Sequence, residues 1–278
     1  MKSLDHRLMV RGAVRLDRLD PRATPGCRDK REAAARLARL LERLEALQYR
    51  LYAGQRRSLL LVLQGMDTAG KDGVIRKVMT AFNPQGCRVT SFKRPTAEEA
   101  AHDFLWRIHR VAPAAGEVAV FNRSHYEDVV AARVHALQPR ADLKRRYDAI
   151  NDFERHLEQS GTKLVKCFLH ISRAEQHQRL LERLEQPHKH WKFNEGDLAE
   201  RTRWNDYRRA YEIAFERCST AHAPWYVIPS DRKWYRDLAV AEIVCGALEA
   251  MDLKLPEVSL DVRTLRAELD GRAAVGTT

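Results

Sequence analysis

Gly65-Met66-Asp67-Thr68-Ala69-Gly70-Lys71-Asp72-Gly73 has the spacing G-x-x-x-x-G-K and sits between two contrasting stretches. Residues 59–64 form an apolar run of strand length, and 71–82 carry a helical pattern that stops before Pro84. The glycines let the turn close tightly with its N–H groups pointing inward. The helix start adds the positive end of a dipole, and Lys71 adds a charge that can follow a phosphate. The loop therefore predicts phosphate binding at the carboxyl end of a buried strand in a parallel α/β protein. Two positions depart from the common form. Asp72 stands where a Ser or Thr hydroxyl normally meets magnesium. Asp67 puts a carboxylate among phosphates, which repel it unless a metal ion or a proton intervenes. Asp67 can take a proton from an acceptor phosphate, hold magnesium, or only brace the loop.

The rest of the chain supports that scaffold. Further strands are expected at 88–92, 117–121, 163–171 and 225–228. Leu37, Leu40, Leu41, Leu44, Leu47 and Leu51 recur at helical spacing before Gly54, as core packing or a contact between subunits. Thr96 with Glu99, Ser172 with Glu175 and Asp197 with Glu200 have capping-box spacing and mark three helix starts. A helical region over 126–159 is broken near Pro139 and closed by Gly161, and a last helix covers about 232–251. Such alternation implies a parallel sheet with helices on both faces. One domain is expected over 29–256, with an N-terminal extension at 1–28 and a tail at 257–278. The extension carries seven Lys/Arg against three Asp, and it is either disordered or wrapped on the domain.

The net charge of +11 points to an anionic partner, whether nucleic acid, an acidic membrane surface or a phosphate-rich substrate, unless it serves only solubility. No apolar run approaches the roughly 20 residues that span a bilayer. The N-terminus lacks the apolar core and small-residue cleavage site of a signal peptide, so a cytoplasmic protein is expected. Cys27, Cys87, Cys167, Cys218 and Cys245 are far apart and show no CxxC pair. That argues against a disulfide framework or a zinc site and for reduced thiols.

Polar residues cluster after the 117–121 strand, in Asn122-Arg123-Ser124-His125-Tyr126-Glu127-Asp128. A magnesium carboxylate belongs at such a strand end, next to the loop strand. Asn122 occupies the end itself, so the candidates are Glu127 and Asp128, unless these only complement a helix dipole. Arg123 can clamp a phosphate bidentately. Lys93 and Arg94, after the second strand, either meet an anion or belong to a solvated loop. Arg179 and Arg183 fall one helical turn apart, with Lys192 beyond them. They suit a mobile lid at about 173–196 that closes over phosphates, or an ordinary basic helix paired with Glu182 and Glu185.

Five segments together resemble the polyphosphate kinase 2 family: GMDTAGKDG (65–73), SFKRPT (91–96), FNRSHYEDV (121–129), RLLERLEQPHKHWKFNEGD (179–197) and APWYVIPSDRKWYRD (223–237). Their order and spacing match, and they cover about 30–250. The resemblance implies a three-layer α/β/α P-loop kinase sandwich with a helical lid. It also implies Mg2+-dependent transfer of a phosphoryl group between inorganic polyphosphate and a nucleotide. It implies catalytic roles for Asp67, Lys71, Arg123 and Arg183. Phosphate and nucleotide contacts fall to Gly65, Met66, Thr68, Ala69, Gly70, Asp72 and Gly73, with Lys93, Arg94, Asn122, Arg179 and Lys192. Many members read D-R-S-x-Y-N where this chain reads N-R-S-H-Y-E. That resembles the subgroup, class III, that accepts nucleoside mono- and diphosphates. It moves the expected metal carboxylates to Glu127 or Asp128, beside Asp67. The expected partners are polyphosphate, AMP, ADP or ATP, guanine nucleotides, and further copies of the chain, with no membrane and no nucleic acid. The rivals are an ATP-dependent small-molecule kinase on the same fold and a nucleic-acid-binding protein, for which no reading motif is present.

Overall fold

β1 (Ser58–Gly65) is buried along its whole length, which a strand tolerates only at the centre of a sheet covered on both faces. The structure is a computed structural model that describes residues 7–194 and 196–275. Residues 1–6 of the expected extension, 195 of the lid region and 276–278 of the tail lie outside the described residues. Beside β1 run β2 (Cys87–Ser91), β3 (Val118–Asn122), β4 (Thr162–His170) and β5 (Trp225–Pro229), all parallel, in the order β2-β3-β1-β4-β5. Leu61 pairs with Val120 on one side and Val165 on the other, so the central register is apolar throughout. Each strand begins and ends within one residue of its sequence expectation.

The longer helices are α1 (Lys30–Gly54), α2 (Lys71–Val78), α3 (Arg140–Gln159), α4 (Arg173–Glu185), α5 (Gly196–Thr202), α6 (Trp204–Cys218), α7 (Lys233–Glu249) and α8 (Val262–Val275). α1 and α2 pack with α7 on one face of the sheet, and α3 packs with α6 on the other. This is the expected α/β/α layering. The leucine stripe of α1 buries Leu37, Leu44, Leu47 and Leu51 chiefly against α7, so it serves as core. Asp29 caps that helix by accepting from Glu32 N–H at 2.8 Å.

Residues 7–28 wrap the domain. Met9 bridges Tyr226 in antiparallel fashion, and Val10 N–H donates to the Trp225 carbonyl at 2.8 Å, covering the β5 edge that would otherwise be open. Leu16 N–H reaches Glu212 at 2.9 Å, and Asp231 N–H reaches the Pro21 carbonyl at 3.1 Å.

The three expected capping boxes have three outcomes. Thr96 and Glu99 form both halves. Ser172 accepts from Glu175 N–H at 3.0 Å, but its own N–H donates to Asp231 at 2.8 Å, and the Glu175 carboxylate accepts from Arg179. A tertiary partner has thus taken the second half. Asp197 lies inside α5 rather than ahead of it; the Asn194 side chain accepts from Gly196 N–H at 2.9 Å instead. The helical region expected at 126–159 breaks at Pro139 as expected: α3 starts directly after it, and the part before it is a 3-10 turn (His125–Asp128) and a single helical turn (Ala131–Val134). The tail carries α8, whose Val262, Leu265 and Leu269 are exposed.

Candidate active site

The P-loop joins β1 to α2. Gly65 has no room for a side chain, since a Cβ there would stand 2.8 Å from the Leu169 carbonyl. Gly70 adopts φ +107° and lies under the guanidinium of Arg236, which also closes off Gly73. Arg236 comes from α7 and is held by Asp237 at 2.7 and 2.8 Å. Lys71 folds over the loop and donates to the Gly65 carbonyl at 3.0 Å. Burial and the Arg123 charge hold its ammonium below the ordinary lysine value, against the pull of Asp67, Glu127 and Asp72. Asp72 accepts from the Asn122 amide at 2.8 Å, which ties the start of α2 to the end of β3. Within the loop, Ala69 N–H closes a turn on the Met66 carbonyl at 3.1 Å and Thr68 has φ +64°.

At the end of β3 the chain turns sharply, with Arg123 at φ +64°. Its N–H donates to the Leu63 carbonyl at 3.0 Å, and its guanidinium donates to Asp67 at 3.0 Å. This pair faces solvent in part, with side-chain exposures of 42% and 26%. Glu127 follows in the 3-10 turn. Burial raises its carboxyl above the ordinary value, although Arg123 and Lys71 oppose the shift. Asp128 is likewise raised by burial, and it sits between Arg107 at 3.3 Å and Arg146 at 3.4 Å. Arg107 also donates to the Lys93 carbonyl at 2.9 Å, so one buried arginine aligns the ends of β2 and β3.

The two α4 arginines differ. Arg179 donates to Glu175 at 2.8 Å, to the Thr68 and Ala69 carbonyls at 2.9 and 3.1 Å, and to the Ser230 and Asp231 carbonyls at 2.7 and 3.0 Å. Those contacts use all five donors of a guanidinium. Arg179 therefore buttresses the loop from behind and does not present its charge to a ligand. One turn earlier, Gln176 donates to the Asp67 carbonyl at 3.2 Å. Arg183 donates to the Lys192 carbonyl at 3.0 Å and to Asp197 at 3.3 Å, while the Lys192 ammonium lies 4.9 Å from the Trp191 ring centre.

A cavity of about 1170 Å³ opens over the carboxyl ends of β1 and β3. Gly65, Met66, Asp67, Arg123, Glu127 and Asp128 line its floor, and Lys93 and Arg94 stand exposed on one wall. Asp197 and Glu200 of α5 line the opposite wall. Burial raises the Asp197 carboxyl, and the Asp67 charge raises it further. The donors fit a hard divalent cation, since they are carboxylate oxygens. Among the described residues no group of three or more His, Cys, Asp or Glu side chains forms a cage, so the protein offers one or two carboxylates and leaves room for phosphate oxygens. Sequence reasoning missed Gln64, Arg107, Gln176, Asp197, Tyr211 and Arg236. Only Asp197 and Arg236 stood inside quoted motif segments; the spacing of Asp197 to Glu200 marked it as a helix cap, and nothing about the spacing of Arg236 marked it.

The chain matches the family model described as Polyphosphate kinase 2 (PPK2) over residues 27–256. It is 47% identical over 253 residues to a Meiothermus ruber protein named AMP/ADP-polyphosphate phosphotransferase, covering 91% of this chain and 95% of that one. It is 45% identical over 231 residues to a Rhodopseudomonas palustris protein named ADP-polyphosphate phosphotransferase, covering 79% and 80%. The solved structure of polyphosphate kinase 2 from Arthrobacter aurescens superposes with a TM-score of 0.94 at 48% identity, covering 97% of each chain. With the loop, the strand-end arginine and the buttressed arm all in place, the chain belongs to the polyphosphate kinase 2 family.

Proposed function

We infer that this protein transfers a phosphoryl group between inorganic polyphosphate and AMP or ADP, giving ADP or ATP, and so can regenerate ATP. The observation that carries the reading is the meeting of Asp67, Arg123 and Glu127 on the floor of a cavity of about 1170 Å³, large enough for a nucleotide and a chain end together. Lys93 and Arg94 on its wall and the net charge of +11 suit a polyanionic donor.

In this mechanism the loop N–H groups and Lys71 cradle the transferring phosphate, with the loop residues 65–73 as its binding surface. Arg123 exchanges part of its contact with Asp67 for a phosphate oxygen. Asp67 then orients the attacking oxygen of the acceptor nucleotide and accepts its proton where the acceptor is protonated. Arg183, brought over the cavity with Lys192, stabilises charge on the equatorial oxygens and excludes water. Asn122 contributes through Asp72, by fixing the start of α2. Glu127, with Asp67 and Asp128 beside it, would hold Mg2+, whose chemistry is to neutralise charge on the phosphate oxygens. Arg179 supports the loop and does not contact phosphate.

No helix among the described residues is long and apolar enough to cross a membrane, and the unpaired cysteines suit a reducing cytoplasm. We place the protein there, acting on guanine as well as adenine nucleotides and assembling as a homo-oligomer. An acceptor panel of AMP, ADP and their guanine and pyrimidine counterparts, incubated with polyphosphate and Mg2+, tests the reading. Adenine acceptors should yield ADP and ATP. No product from polyphosphate, with turnover of ATP and a small acceptor, would replace this reading with that of an ordinary small-molecule kinase.

A further inference from the structure

Beneath the cavity lies a charged network that reaches no ligand. Lys166, at the middle of β4, donates to Glu154 of α3 at 2.5 Å, to the Tyr126 hydroxyl at 2.9 Å and to the Cys218 carbonyl at 2.7 Å. The Tyr126 hydroxyl donates to the other Glu154 oxygen at 2.9 Å, and His125 meets that same oxygen at 3.2 Å. Lys166, Glu154, His125 and Tyr126 are all fully buried, at 0% exposure, and none of them lines the cavity.

Stability does not account for such an arrangement. Two buried charges lose several kcal/mol of hydration each, and a well-packed apolar replacement is commonly as stable or more so. Directionality does account for it. His125 and Tyr126 are the two residues between the Arg123-Ser124 corner and Glu127, and both are pinned through one carboxylate. A second set of bonds holds the corner from above: Ser124 accepts from Tyr126 N–H and from Gln64 at 3.2 Å each, and Gln64 accepts from Tyr211 at 3.0 Å. The turn that carries Arg123 at positive φ, Glu127 and Asp128 is thus fastened to β1, β4, α3 and α6. Apolar packing would fill this space, but it would leave the turn free to rock by the ångström or so that costs orders of magnitude in rate.

We propose that Lys166 and Glu154 are positioning residues for phosphoryl transfer, whose charges hold the 122–128 turn so that Arg123 and Glu127 meet the P-loop. The proposal rests on the reading of that turn as part of the transfer site.

The full-length double variant Glu154→Leu/Lys166→Met tests it, with Tm, kcat and the KM values for ADP and polyphosphate measured beside Arg123→Ala. The expected result is a Tm at or above wild type, KM values within about threefold, and kcat lower by about tenfold or more. A purely structural pair would change Tm and leave kcat per folded molecule alone. A folded double variant with wild-type kcat overturns the proposal. If the double variant does not fold, Tyr126→Phe decides, since it removes only the hydroxyl. A folded Tyr126→Phe with lowered kcat and unchanged KM supports the proposal, and one with wild-type kcat overturns it. Wild-type turnover in Arg123→Ala removes the turn itself from the reaction, and in that case the underlying reading has failed rather than the positioning argument alone.

Discussion

Arg179 and Arg183 stand one turn apart on α4, and the protein uses them in opposite ways. Arg179 is 6% exposed and spends every donor on protein oxygens, four on carbonyls of the P-loop and the β5 end and one on Glu175 of its own helix. Among the described residues Arg183 donates to two partners, both on the segment beyond its own helix. The base of α4 is therefore bolted to the loop, while its tip is held only by the segment that follows it. Identical spacing and identical chemistry give a strut at one position and a more lightly tied cation at the next, because the first has carbonyls from two other elements within reach.

The contrast breaks most visibly by substitution at the bolted end. Arg179→Ala should cost about 3–5 kcal/mol of stability, read as a drop in Tm, with activity lost in proportion to folding. Arg179→Lys should restore little, because an ammonium has three donors for five acceptors. At the lightly tied end, Arg183→Ala should lower kcat by about 10²–10³-fold with a nearly unchanged Tm, since partly exposed ion pairs contribute about 0–1 kcal/mol. The contrast fails if Arg183→Ala melts like Arg179→Ala, or if Arg179→Ala folds normally and loses only turnover.

Glu127 offers a smaller effect of opposite sign. Its carboxyl is raised by burial, so its contribution to stability is fully present below the ordinary glutamate value of 4.5 and is lost as pH rises through the folded value. Glu127→Gln should therefore raise Tm at pH 8, show no gain below pH 4.5, and lose activity at every pH. A Tm gain that persists at low pH would show that the charge is not the cause. Smallest of all, Asp197→Asn should weaken the Arg183 contact and cost under about 1 kcal/mol in thermal melts.

The strands were legible because β1 is buried on both faces and its apolar run has no other use. The P-loop was legible because its glycines answer to local geometry. Helix starts at Thr96 and Ser172 were legible from their caps, but the full capping box formed only where no distant partner competed. Thr96 and Glu99 had no competitor, whereas Asp231, fifty-nine residues away from Ser172, took the second half of that box. The same limit hides the support of the site. Arg236 against Gly70, Gln176 on the Asp67 carbonyl and Tyr211 on Gln64 join residues more than a hundred positions apart. Neither period nor local spacing records such contacts. Arg179 shows the cost of that limit: its position on a basic helix suggested a phosphate ligand, and its five acceptors are carbonyls and one carboxylate of the protein.

The central claim is that a phosphoryl group passes from polyphosphate to a nucleotide at this P-loop. Polyphosphate labelled at its terminal phosphorus, incubated with ADP and Mg2+, measures it directly. Wild-type protein should carry the label into the terminal phosphate of ATP, and Lys71→Ala, with a wild-type Tm, should not. Label that stays on polyphosphate with the wild type, or that moves equally well with Lys71→Ala, would contradict the account.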